Sequence, residues 1–196
     1  MEITTEQIKA LRDQTGISVM QCKKALEEAG GDMEKAKIIL QRKGADIAAK
    51  KGDRSLGAGV VASYIHANGS VGSLVELYCE TDFVSNNDEF KALARDIAMQ
   101  VAATKPEFLK RENISEEAKA AALEVLQKEV EGKPEEMKAK ILEGKLGSYF
   151  EDKVLMEQPF IKNGDLTIEQ LISNAVQKFG EKTEIGRFVY FSIGNK

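Results

Sequence analysis

At Gly59 the hydrophobic period of the chain becomes two and holds that value to Cys79. Val60, Ala62 and Tyr64 alternate with Val61, Ser63 and Ile65, and residues 71–79 alternate likewise. Between the runs, Ala67-Asn68-Gly69-Ser70 holds an Asn-Gly step, a strong signal for a tight hairpin turn. An isolated two-stranded ribbon is marginal in water, so this hairpin demands a third strand and a helical cover. Residues 185–193 provide the strand, because Phe188-Val189-Tyr190-Phe191 is too β-rich and too short for a helix. Residues 88–104 and 166–179 provide the cover. The first carries Phe90, Leu93, Ala94, Ile97 and Val101 on one stripe and stops before Pro106. The second is capped by Thr167 and turns Ile168, Leu171, Ile172, Ala175 and Val176 inward. The expected fold is α+β, a small antiparallel three-stranded sheet packed with helices.

Ahead of the hairpin, residues 4–43 read as three short helices. Thr4 or Thr5 caps the first, where Ile8 and Leu11 share a face, and Thr15-Gly16 ends it. Ser18 caps the second, with Cys22, Ala25 and Leu26 inward and Gly30-Gly31 as its stop. Asp32 caps the third, with Met33, Ala36, Ile39 and Leu40 in helical spacing as far as Gly44. Such a bundle has no cleft, and the natural use of it is docking. Residues 46–58, with Lys50-Lys51-Gly52-Asp53-Arg54-Ser55, read as a solvated linker. The expected organisation is therefore a three-helix module over 1–45, a linker over 46–58 and an α+β core over 59–196. Within the core a Glu/Lys-rich helical hairpin spans about 115–147, with Ser115 capping its first helix and Pro134 opening its second.

The composition, 42% hydrophobic and 31% charged, gives enough apolar material for a core. A net charge of −4 argues against bulk nucleic acid as the partner. No apolar run spans a bilayer and no leader pattern follows Met1, which predicts a cytoplasmic protein. Cys22 and Cys79 make no disulfide framework.

Catalytic chemistry is hard to assemble from these residues. His66 and Cys79 on adjoining strands allow a thiol–imidazole pair, against the plainer reading of an exposed edge histidine and a buried cysteine. No Cys/His spacing suggests zinc, and the glycine pairs lack the context of a nucleotide loop. Neither an enzyme nor a cofactor is expected. What stands out is apolar chemistry in polar settings. Val19 and Met20 fall in the first turn of the second helix, off its inner face, with Lys23 beside them and Arg12 at the rim. They either close the bundle from one end or wait for a partner. After the strand 71–79 comes Glu80-Thr81-Asp82-Phe83-Val84. Val84 can act as a hydrophobic staple onto Phe90, whereas Phe83 and Asp82 fit a staple less well.

Two stretches carry a family resemblance. Leu11-Arg12-Asp13-Gln14-Thr15-Gly16 with Met20-Gln21-Cys22-Lys23-Lys24-Ala25-Leu26 resembles the N-terminal signature of bacterial translation elongation factor Ts. Glu76-Leu77-Tyr78-Cys79-Glu80-Thr81-Asp82-Phe83-Val84 resembles the second signature of that family, with Tyr78 where asparagine is common. Ala103-Thr104-Lys105-Pro106-Glu107-Phe108, the segment around Gln158-Pro159-Phe160 and the Gly186-Arg187-Phe188 strand look familial too. The resemblance implies a guanine-nucleotide exchange factor for the GTPase elongation factor Tu. It implies a three-helix module similar to a ubiquitin-associated domain, docking through Arg12, Val19, Met20 and Lys23. It also implies that Thr81, Asp82, Phe83 and Val84 dislodge Mg²⁺ from the partner's nucleotide site. Only one sheet's worth of strands is present where long members have two core subdomains, so a homodimer is expected. A non-exchanging adaptor, with a helical docking module on an oligomerising α+β domain, is the alternative. Direct nucleic-acid or membrane binding is expected in neither case.

Overall fold

The computed structural model describes residues 3–130 and 135–194. Helix α1 (Thr5–Thr15) starts at a capping box in which Thr4 and Gln7 each accept the other's backbone N–H, and it ends at Gly16 in the left-handed region. Helix α2 (Val19–Glu28) starts on Ser18, and α3 (Met33–Lys50) on Asp32, whose carboxylate accepts the Lys35 N–H. Their shared core is Ile8, Leu11, Ile17, Cys22, Ala25, Leu26, Ala36 and Leu40. The expected stop at Gly44 is overturned, because α3 runs on to Lys50. Gly44 is instead a contact point. A Cβ there would lie 3.0 Å from Ser173 Oγ, so the missing side chain lets α3 lie close against α8 (Ile168–Phe179).

Strands β1 (Ala58–Ile65) and β2 (Val71–Cys79) form the hairpin, with Ala58 opposite Cys79 and Ile65 opposite Gly72. Strand β5 (Thr183–Ser192) joins β2 antiparallel, giving the order β1-β2-β5. Helix α4 (Asp82–Ser85) is a single turn, and α5 (Asp88–Thr104) covers one face of the sheet. Val75, Leu77, Cys79, Val84, Phe90, Ala94, Ile97, Val101, Ile168 and Ile185 are buried there together. Fully burying side chains of this size contributes about 1.5–3 kcal/mol each. Helix α8 covers the sheet less than expected. Its Ile168–Ile172 face joins this core, while its Ser173 and Gln177 side faces α3 and makes it the floor on which the bundle sits.

Among the described residues nothing covers the sheet's other face, where Val61, Ile65, Leu74, Tyr78, Val189 and Phe191 are exposed. Glu76 and Arg187 pair across its middle.

Helices α6 (Glu116–Glu129) and α7 (Glu135–Glu151) form the helical hairpin, with a small core of Ile114, Ala122, Phe150 and Val154. Ser115 caps α6 as expected, and Pro134 lies outside the described residues. A two-stranded ribbon absent from the sequence reading, β3 (Pro159–Phe160) and β4 (Asn163–Thr167), precedes α8. It is held to α5 by Gln100, which is fully buried. Gln100 donates to Gln158 Oε1 and to the Pro159 carbonyl, and accepts from the Ile161 N–H. With these bonds made, the buried amide carries no desolvation penalty for unpaired groups. No helix among the described residues is long and apolar enough to cross a membrane.

Candidate protein-docking site

Strand β2 ends at Cys79, a buried thiol that donates to the Thr81 carbonyl at 3.2 Å; burial pushes its pKa up. The β2–β5 ladder ends with the Cys79–Thr183 pair. Beyond it, side chains take over. The Glu80 carboxylate accepts the backbone N–H of Lys182 at 2.6 Å and Arg54 Nη1 at 2.9 Å. The Lys182 bond and then the Arg54 guanidinium hold its pKa below the ordinary value, against the opposing pull of desolvation. In return, the Glu181 carboxylate accepts the backbone N–H of Thr81 at 3.0 Å and its hydroxyl at 2.5 Å. The two segments are thus clasped reciprocally, each carboxylate on the other's backbone amide. Residues 51–54 close the same knot. Lys51 Nζ donates to the Gly180 carbonyl at 2.6 Å, and Lys182 Nζ donates to the Gly52 carbonyl at 2.7 Å. The segment read as a solvated linker is tied down, and Lys51 is largely buried. Sequence reasoning missed this knot because its partners lie about a hundred residues apart with no local signal.

The clasp decides what the next residues do. Thr81 is extended and makes no side-chain cap to α4, since its hydroxyl is engaged by Glu181. The single turn then buries Val84 (4% exposed) in the core beside Phe90 and leaves Phe83 84% exposed. Asp82 is exposed as well. Of the four expected residues, two are therefore anchors, Thr81 and Val84, and two project, Asp82 and Phe83.

On the bundle, Val19 is 53% and Met20 68% exposed, so they do not close it from one end; buried Ile17 does that. Arg12 and Val19 line one shallow groove with Thr5, Glu6, Ile8 and Lys9. Lys23 reaches Glu27 at 3.8 Å along α2 and stays exposed. A cleft of about 440 Å³ lies between the bundle and the residues around the start of α5 and the end of α8. One wall is Arg12, Asp13 and Ser18, immediately before Val19; the other is Asn87, Glu89, Lys178 and Phe179. Asn87 caps α5 and follows Val84 by three residues.

The thiol–imidazole pair does not exist. Cys79 stands opposite Ala58 while the His66 N–H bonds Val71 at the other end of the hairpin. Eight strand residues separate them, about 25 Å. Among the described residues, no group of three or more His, Cys, Asp or Glu side chains could hold a metal ion.

The family description for Elongation factor TS matches residues 33–195. A relative named Elongation factor Ts from Carboxydothermus hydrogenoformans is 50% identical over 98% of this chain and 89% of its own. The relative of that name from Thermodesulfovibrio yellowstonii is 46% identical, covering 99% of this chain and 98% of its own. One from Coprothermobacter proteolyticus is 45% identical over 99% of this chain and the whole of its own length.

Proposed function

The chain belongs to the elongation factor Ts family, and from that premise we propose that it is a guanine-nucleotide exchange factor. It binds elongation factor Tu carrying GDP and speeds GDP release. The observation that carries the reading is the contrast of neighbours, Phe83 projecting and Val84 buried, on a turn tied at both ends. A large exposed phenyl ring on a tethered turn stabilises nothing in its own chain. It suits a partner. Helices α1–α3, similar to a ubiquitin-associated domain, dock through Arg12, Val19, Met20 and Lys23; Phe83 and Asp82 then press on the loops that hold the GTPase's Mg²⁺. Removing that cation leaves the phosphates unneutralised, and GDP leaves. By linkage, the factor binds the nucleotide-free GTPase more tightly by the same factor that it weakens GDP.

The domain reading accompanies this: a docking module over 1–45, a tied connector to about 58, and a core beyond it. The bare apolar face of the sheet supports a homodimer, a second copy covering Val61, Ile65, Leu74, Val189 and Phe191. Light scattering at micromolar concentration should give twice the chain mass, and a monomer's mass refutes the dimer. For exchange, the test is release of a fluorescent GDP analogue from elongation factor Tu. Phe83→Ala should slow stimulated release while changing stability by no more than about 0.5 kcal/mol. An unchanged release rate on adding the native protein sinks the exchange reading and leaves the adaptor.

A further inference from the structure

We infer that the reciprocal Glu80–Glu181 clasp is what aims Phe83, making Glu181 a positioning residue for exchange; the inference rests on the exchange reading above. Residues 80–81 leave the sheet with no further ladder pairing, because the last β2–β5 pair is Cys79–Thr183. A chain leaving the end of a strand has backbone N–H groups to satisfy, and their partners fix its direction. Here Lys182 N–H goes to Glu80 and Thr81 N–H to Glu181, so two carboxylates extend the pairing past the last rung. Two bonds from Thr81 to one carboxylate fix both its backbone and its hydroxyl. The next residue begins α4, and Ser85 N–H bonds back to the Thr81 carbonyl at 3.2 Å. The turn bearing Phe83 therefore hangs between the clasp and buried Val84, and Phe83 itself adds nothing to that hold. Lys51 and Arg54 bring the end of α3 into the same knot, so the bundle and the turn share one footing.

A ring that must press on a partner's loop loses effect when its mount is loose, even if it still makes contact. The clasp thus acts on the maximal rate of release and leaves docking through Val19 and Met20 intact. The chain has no tryptophan, so Phe83→Trp places a single reporter at the tip of the turn. In that background Glu181→Leu should give faster local depolarisation in time-resolved anisotropy. It should lower the maximal stimulated release about fivefold or more, while the half-saturating concentration moves less than about twofold. Glu181→Gln, which keeps an acceptor oxygen, should restore part of both, and Thr81→Val should reproduce the loss in milder form. Unchanged anisotropy overturns the proposal, as does a maximal rate that falls only in step with the melting temperature. The anisotropy arm needs no partner, so it still decides the clasp should Phe83→Ala prove silent and the exchange reading fail.

Discussion

Val19 and Met20 stand on a helix whose start is set from close by: Ser18 Oγ accepts the Gln21 N–H, and Cys22 N–H bonds the Ser18 carbonyl. Asp82 and Phe83 stand on chain whose direction is set from far away, by Glu181 and by core neighbours on other elements. Both regions show apolar side chains to solvent. The difference lies in what holds them. A locally built patch tolerates damage elsewhere, which suits the landing site proposed above. A remotely braced turn moves when its braces move, which suits the lever proposed above.

The largest break in this comparison is at Val84. Val84→Asp places an unpaired carboxylate in the core beside Phe90, which should cost about 3–5 kcal/mol. Urea unfolding should show it, and stimulated exchange should vanish with the fold of the turn. A midpoint close to that of the native protein would mean that Val84 is not an anchor and the turn hangs by the clasp alone.

Met20→Ser should act on binding and not on the lever. On the proposed docking role, removing this exposed side chain should weaken association with elongation factor Tu by about 1–2 kcal/mol, with the maximal release rate unchanged. A titration of release rate against factor concentration separates the two parameters. A fall in maximal rate at saturation would show that the bundle also presses on the nucleotide site, erasing the division between landing site and lever.

Ser18→Ala tests how local the first region is. Loss of the cap should cost about 1 kcal/mol, and amide exchange should rise in the first turn of α2. The protection of Thr81 N–H should stay as it was, since its acceptor is Glu181.

The same local-against-remote division explains what the sequence alone made readable. The caps Thr4, Ser18, Asp32, Ser115 and Thr167, the hairpin at Asn68-Gly69 and the stripe of α5 all depend on residues a few positions apart. The exposure of Val19 and Met20 was legible from their falling off the inner face of α2, and the docking and Mg²⁺-dislodging roles rest on the resemblance alone. Three features were not. Gly44 looked like a helix stop, but its role is to admit Ser173 from α8. Lys51 looked solvated, but its ammonium bonds the Gly180 carbonyl. Glu181 gave no signal at all, because its meaning depends on Thr81, a hundred residues earlier.

The smallest effect is the response to acid, and it puts both regions under one probe. Asp32 and Glu80 are each carboxylates held below their ordinary values by a backbone N–H: Asp32 by that of Lys35, Glu80 by that of Lys182 with Arg54 added. A carboxyl whose folded pKa is depressed stabilises the fold fully above its unfolded value. That contribution is lost as pH falls through the folded value. Both contributions should therefore be complete at neutral pH and fade only below about pH 4. Carbon-detected NMR titration of the two carboxyls should place both below the ordinary carboxylate range in the native protein. Glu181→Leu should then separate them. Opening the clasp lets the Lys182 amide drift from Glu80, whose titration should move up toward the ordinary range. Asp32, whose acceptor bond spans three residues within α3, should titrate as before. If Glu80 keeps its low value in that variant, its Lys182 bond survives without Glu181, and the two halves of the clasp are independent braces rather than one.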